Sequence, residues 1–283
     1  MASDLVSGAA ERAIRLLVCD VDGTLVRHDK SLSDATIAAA RRLTRAHVAM
    51  TLISARPPSG IVPLAKLLEL GSPLAAFNGG TLFTPDGTIL AAHHLDAEAS
   101  RKAVALFEQA GVTIWAYADG QWYASDADNP HIGHERKASM VEPVVTRDFD
   151  SLHGRIDKVV AVSDDHGLIE RLEREGKAAL GDAANVSRSQ TYYCDVTHAL
   201  ANKGNGIAVL ADAIGVPLAD TAAIGDMPND IAMLQRAALS IAMGQAPIEV
   251  KEHARWVTAG NDEDGVAKAI DRILIPEVTR HRL

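Results

Sequence analysis

The feature that most constrains this chain is a short apolar run, residues 14–21, that passes straight into Asp20-Val21-Asp22-Gly23-Thr24-Leu25. Rich in Leu and Val and too short for a helix, the run predicts a strand buried on both faces, as in the centre of a parallel sheet. Asp22-Gly23 is a turn signal, so the chain reverses where the two acids stand. On extended backbone, acids at i and i+2 point the same way. Two carboxylates so placed require a cation between them or a held proton.

The segments that follow alternate as a parallel sheet with crossover helices demands. Ser33 caps a predicted helix reaching about His47, with Ile37, Ala40 and Leu43 on one face. Residues 48–54 read as a second buried strand, Ser59 opens a helix that stops near Gly71, and residues 74–77 form a third strand before Asn78-Gly79-Gly80. The texture then changes. Pro85-Asp86-Gly87 and Asp119-Gly120 each separate strand-like runs and predict hairpins. Helices follow from Asp96 to Gly111 and up to about Lys177, and residues 126–139, polar and without periodicity, predict a long loop. Alternation returns at Lys203, with a helix to Ile214, strands at 221–224 and 239–242, and a last helix from Gly265 to Leu274. The expected architecture is α/β: a Rossmann-like parallel-sheet core, residues 1–81 and 196–283, interrupted by an α+β cap domain at residues 82–195.

Four features carry chemistry, each at a predicted strand end or helix start. Open α/β sheets place their sites outside the carboxyl ends of strands, which is where Asp20 and Asp22 lie. Asp20 could attack phosphorus, Asp22 could protonate the leaving alkoxide, and Gly23 would allow the sharp turn. Gly225-Asp226-Met227-Pro228-Asn229-Asp230 follows a second short strand and offers hard oxygen ligands suited to Mg²⁺. Ser54, in Ser54-Ala55-Arg56, offers a hydroxyl to a phosphate oxygen. Lys203 opens a helix, where the macrodipole disfavours it unless an anion lies nearby. Taken singly, each has a plainer reading: a strand-end turn, a helix cap, a solvated lysine.

Together, in this order, the four resemble the haloacid dehalogenase-like phosphatase superfamily, over about residues 14–80 and 196–275. The insert lies between the Ser and Lys motifs, as does the type IIB (C2B) cap of the Cof-like subfamily. Phe77-Asn78-Gly79-Gly80 resembles the element that precedes that cap. Ala242-Met243-Gly244-Gln245-Ala246 resembles its late Met-Gly-Asn-Ala stretch, with Gln in place of Asn, and Ala55 stands where Gly is usual. The resemblance implies that Asp20 is the nucleophile and Asp22 the general acid/base. It further implies Mg²⁺ held by the Asp20 carboxylate, the Asp22 backbone carbonyl and Asp226, with Asp230 and Asn229 in support. Ser54, Lys203, Gly23 and Thr24 would hold the phosphoryl group, and Arg56, Asn78, Gly79, Asn202 and Asn229 would face the substrate. The implied activity is hydrolysis of a small phosphorylated metabolite, a sugar phosphate or similar, through an aspartyl phosphate. A phosphomutase or phosphotransferase shares that chemistry, and a non-catalytic metabolite-binding member is the other alternative. A C–halogen hydrolase has no use for a proton donor such as Asp22.

Bulk properties narrow the partners. With 47% hydrophobic residues in 283, the chain can build a substantial core. A formal charge of −9 argues against nucleic acid or an anionic membrane as partner, although a local pocket can invert that sign. No apolar run is long enough to span a bilayer, residues 1–15 do not read as a secretory leader, and Cys19 and Cys194 make no disulfide framework. A cytoplasmic location is the expectation; the sequence leaves the oligomeric state open, with a monomer favoured. His131 and His134 have HxxH spacing, but Pro130 and Gly133 argue for a loop there rather than a metal-binding helix. His131, His134, Glu135 and Arg136 are candidates for contact with the leaving group.

Overall fold

In the computed structural model, residues 13–274 are described; residues 1–12, most of the segment read for a leader, and 275–283 lie outside them. The first part of the chain runs β1 (Leu16–Cys19), α1 (Asp34–Arg45), β2 (Ala49–Leu52), α2 (Pro58–Leu67), β3 (Leu74–Ala76), β4 (Thr81–Phe83) and β5 (Ile89–Ala92). An α+β unit follows: α3 (Ala97–Gln109), β6 (Thr113–Ala118), β7 (Gln121–Ala124), α4 (Ile132–Ser139), β8 (Pro143–Val145), β9 (Ile156–Val162), α5 (His166–Leu180), β10 (Ala184–Gln190) and β11 (Tyr193–His198). The last part comprises α6 (Lys203–Ile214), β12 (Thr221–Gly225), α7 (Ile231–Leu234), β13 (Leu239–Ala242), α8 (Ile248–Lys251), β14 (Trp256–Val257) and α9 (Gly265–Ile273).

The core sheet has the order β14-β13-β12-β1-β2, parallel throughout. Strand β1 is buried along its whole length, as its unbroken apolar run requires. From β1 the chain works outward to β2, then returns on the other side through β12, β13 and β14. The switch point therefore falls between β1 and β12, and their carboxyl ends open side by side. Ser33 caps α1, accepting from the Thr36 N–H at 3.1 Å, and Asn202 caps α6, accepting from Asn205 at 2.9 Å. The hairpin β4–β5 forms, but it pairs with β3 and not with the sheet of the insert. The chain thus crosses between the two units at residues 93–96 and 199–202.

The insert's sheet has the order β10-β11-β9-β6-β7-β8. Its strands obey the two-residue period. In β6, Ile114, Ala116 and Ala118 pack with α3 and α5, whereas Trp115 and Tyr117 join the cluster that contains the core's Phe77. The Phe77 and Tyr117 rings stand 5.7 Å apart. Residues 132–139, expected as loop, are the helix α4. Pro130 precedes the first helical residue and so breaks nothing. Gly133 costs a helix only about 1 kcal/mol, less than the packing of Ile132 and Ala138 returns. Among the described residues no helix is long and apolar enough to cross a membrane.

Candidate active site

Asp20 stands one residue past β1, its backbone N–H donating to the Ile224 carbonyl of β12 at 3.0 Å. Asp226 stands one residue past β12. Parallel pairing of the two strands is what makes residues two hundred positions apart into neighbours. Asp20, Asp226 and Asp230 each present a carboxylate oxygen within 4.8 Å of the others, and all three are buried.

One ammonium is shared among them. Lys203, at the start of α6 and 2% exposed, donates to Asp20 and, at 2.6 Å, to Asp230. Asp230 gives its other oxygen to the N–H groups of Asp226 and Met227, both at 2.9 Å, and so shapes the loop that carries Asp226. Gly225 is required there, since a Cβ would lie 2.4 Å from the Asp230 carboxyl carbon. The Asp226 carboxylate accepts from the Thr24 hydroxyl at 3.0 Å and from Gln245, which also bonds the Gly23 carbonyl. Gly23 has φ +77°, and a side chain on it would run into Asp226.

The charge does not balance. Burial pushes the Asp20 carboxyl up to about 7, with Lys203 working against the rise and Asp230 adding to it. Burial, then Asp20 and Asp230, push Asp226 well above the usual carboxylate range. Burial would depress Lys203, but Asp20 and Asp230 hold it above its ordinary value. Three crowded acids facing one lysine fit a divalent cation with hard oxygen ligands. Among the described residues the Asp226 carboxylate is held only by the neutral donors Thr24 and Gln245, so it can turn to a cation beside Asp20; Asp230's oxygens are committed to Lys203 and the loop.

Asp22 faces a different group. Arg56 grips it with two N–H bonds of 2.6 and 2.7 Å, and Lys30 donates to it as well. Burial alone would raise the Asp22 pKa; the two cations hold it far below the carboxylate range. Arg56 also donates to the Gly60 carbonyl of α2 and the Ala138 carbonyl of α4, so it joins core and insert. Ser54 accepts from the Arg56 N–H at 3.1 Å and lines the cavity.

That cavity lies between the two units. Asp20, Asp22, Ser54, Arg56, Lys203 and Asn229 line it from the core; His134, Glu135, Lys158 and Tyr192 line it from the insert. Of the four candidates at 131–136, His134 and Glu135 thus face it. His131 stacks on Tyr192 and pairs with Asp164, and Arg136 pairs with Glu142 at the surface. HxxH makes no metal group among the described residues. Thr24, expected on a phosphate, is instead spent on Asp226. Gly79 packs against Gly206 of α6 and Asn202 caps that helix, while Asn78 bonds Asn229 at 3.0 Å and approaches Asp195; none of the three lines the cavity.

Sequence reasoning missed Lys30 and Lys158. Lys30 carried no signal. Lys158 did: it is a lysine inside β9, whose seven residues are all buried, and a lysine is seldom buried without a partner or a role.

The family model for haloacid dehalogenase-like hydrolases matches residues 17–270. A Bacillus subtilis 5-amino-6-(5-phospho-D-ribitylamino)uracil phosphatase is 26% identical over 286 residues, covering 92% of this chain and 98% of its own. Among solved structures, a haloacid dehalogenase-like hydrolase from Bacteroides thetaiotaomicron is 30% identical at a TM-score of 0.79, covering 92% of this chain and all of its own. A subclass IIB sugar phosphatase superposes with a TM-score of 0.79 at 24% identity, over 91% of this chain and 98% of its own.

Proposed function

This chain belongs to the haloacid dehalogenase-like hydrolases and is a phosphatase, and from that premise we propose that it hydrolyses a small phosphorylated metabolite, a sugar phosphate or a similar ester, with Asp20 as nucleophile. The observation that carries the reading is the buried meeting of Asp20, Asp226, Asp230 and Lys203 at the switch point. The polyol phosphate and sugar phosphate substrates in the names of two relatives support the substrate class.

An Asp20 oxygen attacks phosphorus as the P–O bond to the alcohol breaks, leaving an aspartyl phosphate. Asp22 delivers a proton to the departing alkoxide and takes one from the water that next attacks phosphorus. The P–O bond to Asp20 then breaks and inorganic phosphate leaves. Lys203 and the Ser54 hydroxyl hold the equatorial oxygens, where charge spreads in the transition state. Asp22 can carry its proton only after parting from Arg56 and Lys30, so entry of the leaving group must loosen that clamp. The donor set fits Mg²⁺, held by Asp20 and Asp226 with Asp230 behind them; when bound, it supplies positive charge to the carboxylates and the phosphoryl oxygens. The insert, α3 through β11, acts in this reading as the cap that excludes bulk water.

The test is Asp20→Asn. Turnover of p-nitrophenyl phosphate with Mg²⁺ should fall by about 10³-fold or more with an unchanged circular dichroism spectrum. Substantial residual turnover would remove Asp20 from the role. Transfer to a sugar hydroxyl in place of phosphate release would favour the phosphotransferase alternative.

A further inference from the structure

We propose that the substrate carries a second anionic group on its leaving alcohol, a carboxylate or another phosphate, and that Lys158 of the insert binds it. This rests on the phosphatase reading above and names the substrate class more closely.

Three cations line the cavity beyond Asp20 and Lys203, namely Lys30, Arg56 and Lys158, against two acids, Asp22 and Glu135. Both acids are spent. Asp22 is held by Arg56 and Lys30. Glu135 accepts from the hydroxyls of Tyr117 and Tyr193. Lys158 is the cation whose carboxylate partner, Asp195, lies outside the cavity lining. It is 4% exposed, donates one N–H to the Ala55 carbonyl at 2.9 Å, and stands 3.9 Å from its nearest carboxylate, Asp195. An ammonium has three donors, and among the described residues two of these meet no acceptor. The face of Tyr117, 5.1 Å away, offsets part of the cost. The Asp195 pair is long and carries no hydrogen bond, so part of the hydration that a buried ammonium loses is left without compensation.

The cavity lining holds four cations, Lys30, Arg56, Lys158 and Lys203, against three acids, Asp20, Asp22 and Glu135, a local positive balance in a chain of formal charge −9. Lys158 reaches Ala55, next to Ser54, from β9 of the insert, so the charge arrives only when the two units are docked.

The experiment compares matched esters: 3-phosphoglycerate with glycerol 3-phosphate, and fructose 1,6-bisphosphate with fructose 6-phosphate. In the native enzyme the ester with the extra anion should have a kcat/KM at least about tenfold higher in one pair, the scale of a charge-assisted hydrogen bond. The first pair reports a carboxylate and the second a phosphate. Lys158→Gln should bring that ratio close to unity, and Lys158→Arg should restore it. No preference in the native enzyme, or a ratio unmoved by Lys158→Gln, overturns the proposal. Should the variant not fold, product inhibition of the native enzyme decides: glycerate must compete at about tenfold lower concentration than glycerol, or the proposal fails. Hydrolysis of p-nitrophenyl phosphate without anion preference sinks this inference alone; no hydrolysis of any ester sinks the phosphatase reading with it.

Discussion

At the scale of single residues, burial sets the chemistry and sequence shows only part of it. Asp20, Asp226 and Lys203 could be named from motifs because each follows a recognisable strand or opens a helix. Lys30 and the clamp on Asp22 could not, since Arg56 and Lys30 reach that carboxylate from different loops. Asp157, next to Lys158 on β9, shows how burial enters stability. Burial pushes its carboxyl up to about 6, and only His94, 3.0 Å away, works against the rise. The folded state thus binds this proton more tightly than the unfolded chain does. That favours folding at low pH and is lost as pH rises from about 4 through 6. Asp157→Asn should therefore stabilise the protein at pH 8, on the order of 1–2 kcal/mol, and by much less at pH 5. Thermal melts at the two values check this; equal shifts at both would contradict it.

At the scale of elements, the strand–helix alternation was legible because buried parallel strands and amphipathic helices have distinct periods. Helix α4 was not, because Pro130 and Gly133 read as breakers and its weak amphipathic pattern gave no counter-signal. Its role is evident only in place. The C-terminal carbonyls of α4 dock on the start of α2 and the residues just before it, Ala138 accepting from Arg56 and Ser139 from the Ser59 hydroxyl at 2.6 Å. The approach is so close that a Cβ on Gly60 would lie 2.1 Å from the Ala138 carbonyl oxygen. Alanine at this helical position should stabilise an isolated α2 by about 1 kcal/mol, so Gly60→Ala separates docking from folding. We expect kcat/KM to fall by about tenfold or more, with the melting temperature little changed and a larger radius of gyration in solution scattering. Full activity with an unchanged radius would show that the contact does not position the site.

At the scale of the whole molecule, the site exists because β1 and β12 pair across two hundred residues of intervening chain. The three carboxylates are crowded only in the folded state, so a divalent cation should bind that state alone and stabilise it. Mg²⁺ at about 100 times its Kd should add about 2.7 kcal/mol, read as a rise in melting temperature that chelation reverses. Asp226→Asn should abolish the rise. A rise that persists in this variant would place the cation elsewhere.

The sequence by itself determined the class of the fold, the two halves of its core sheet and the acids at their strand ends, because apolar periodicity and turn chemistry are local properties. Only the tertiary structure decided which charges meet. The pairing of Asp22 with Arg56 and Lys30, the helical state of residues 132–139 and the position of Lys158 over the cavity depend on contacts between distant segments. A pattern of neighbours along the chain carries no record of those contacts.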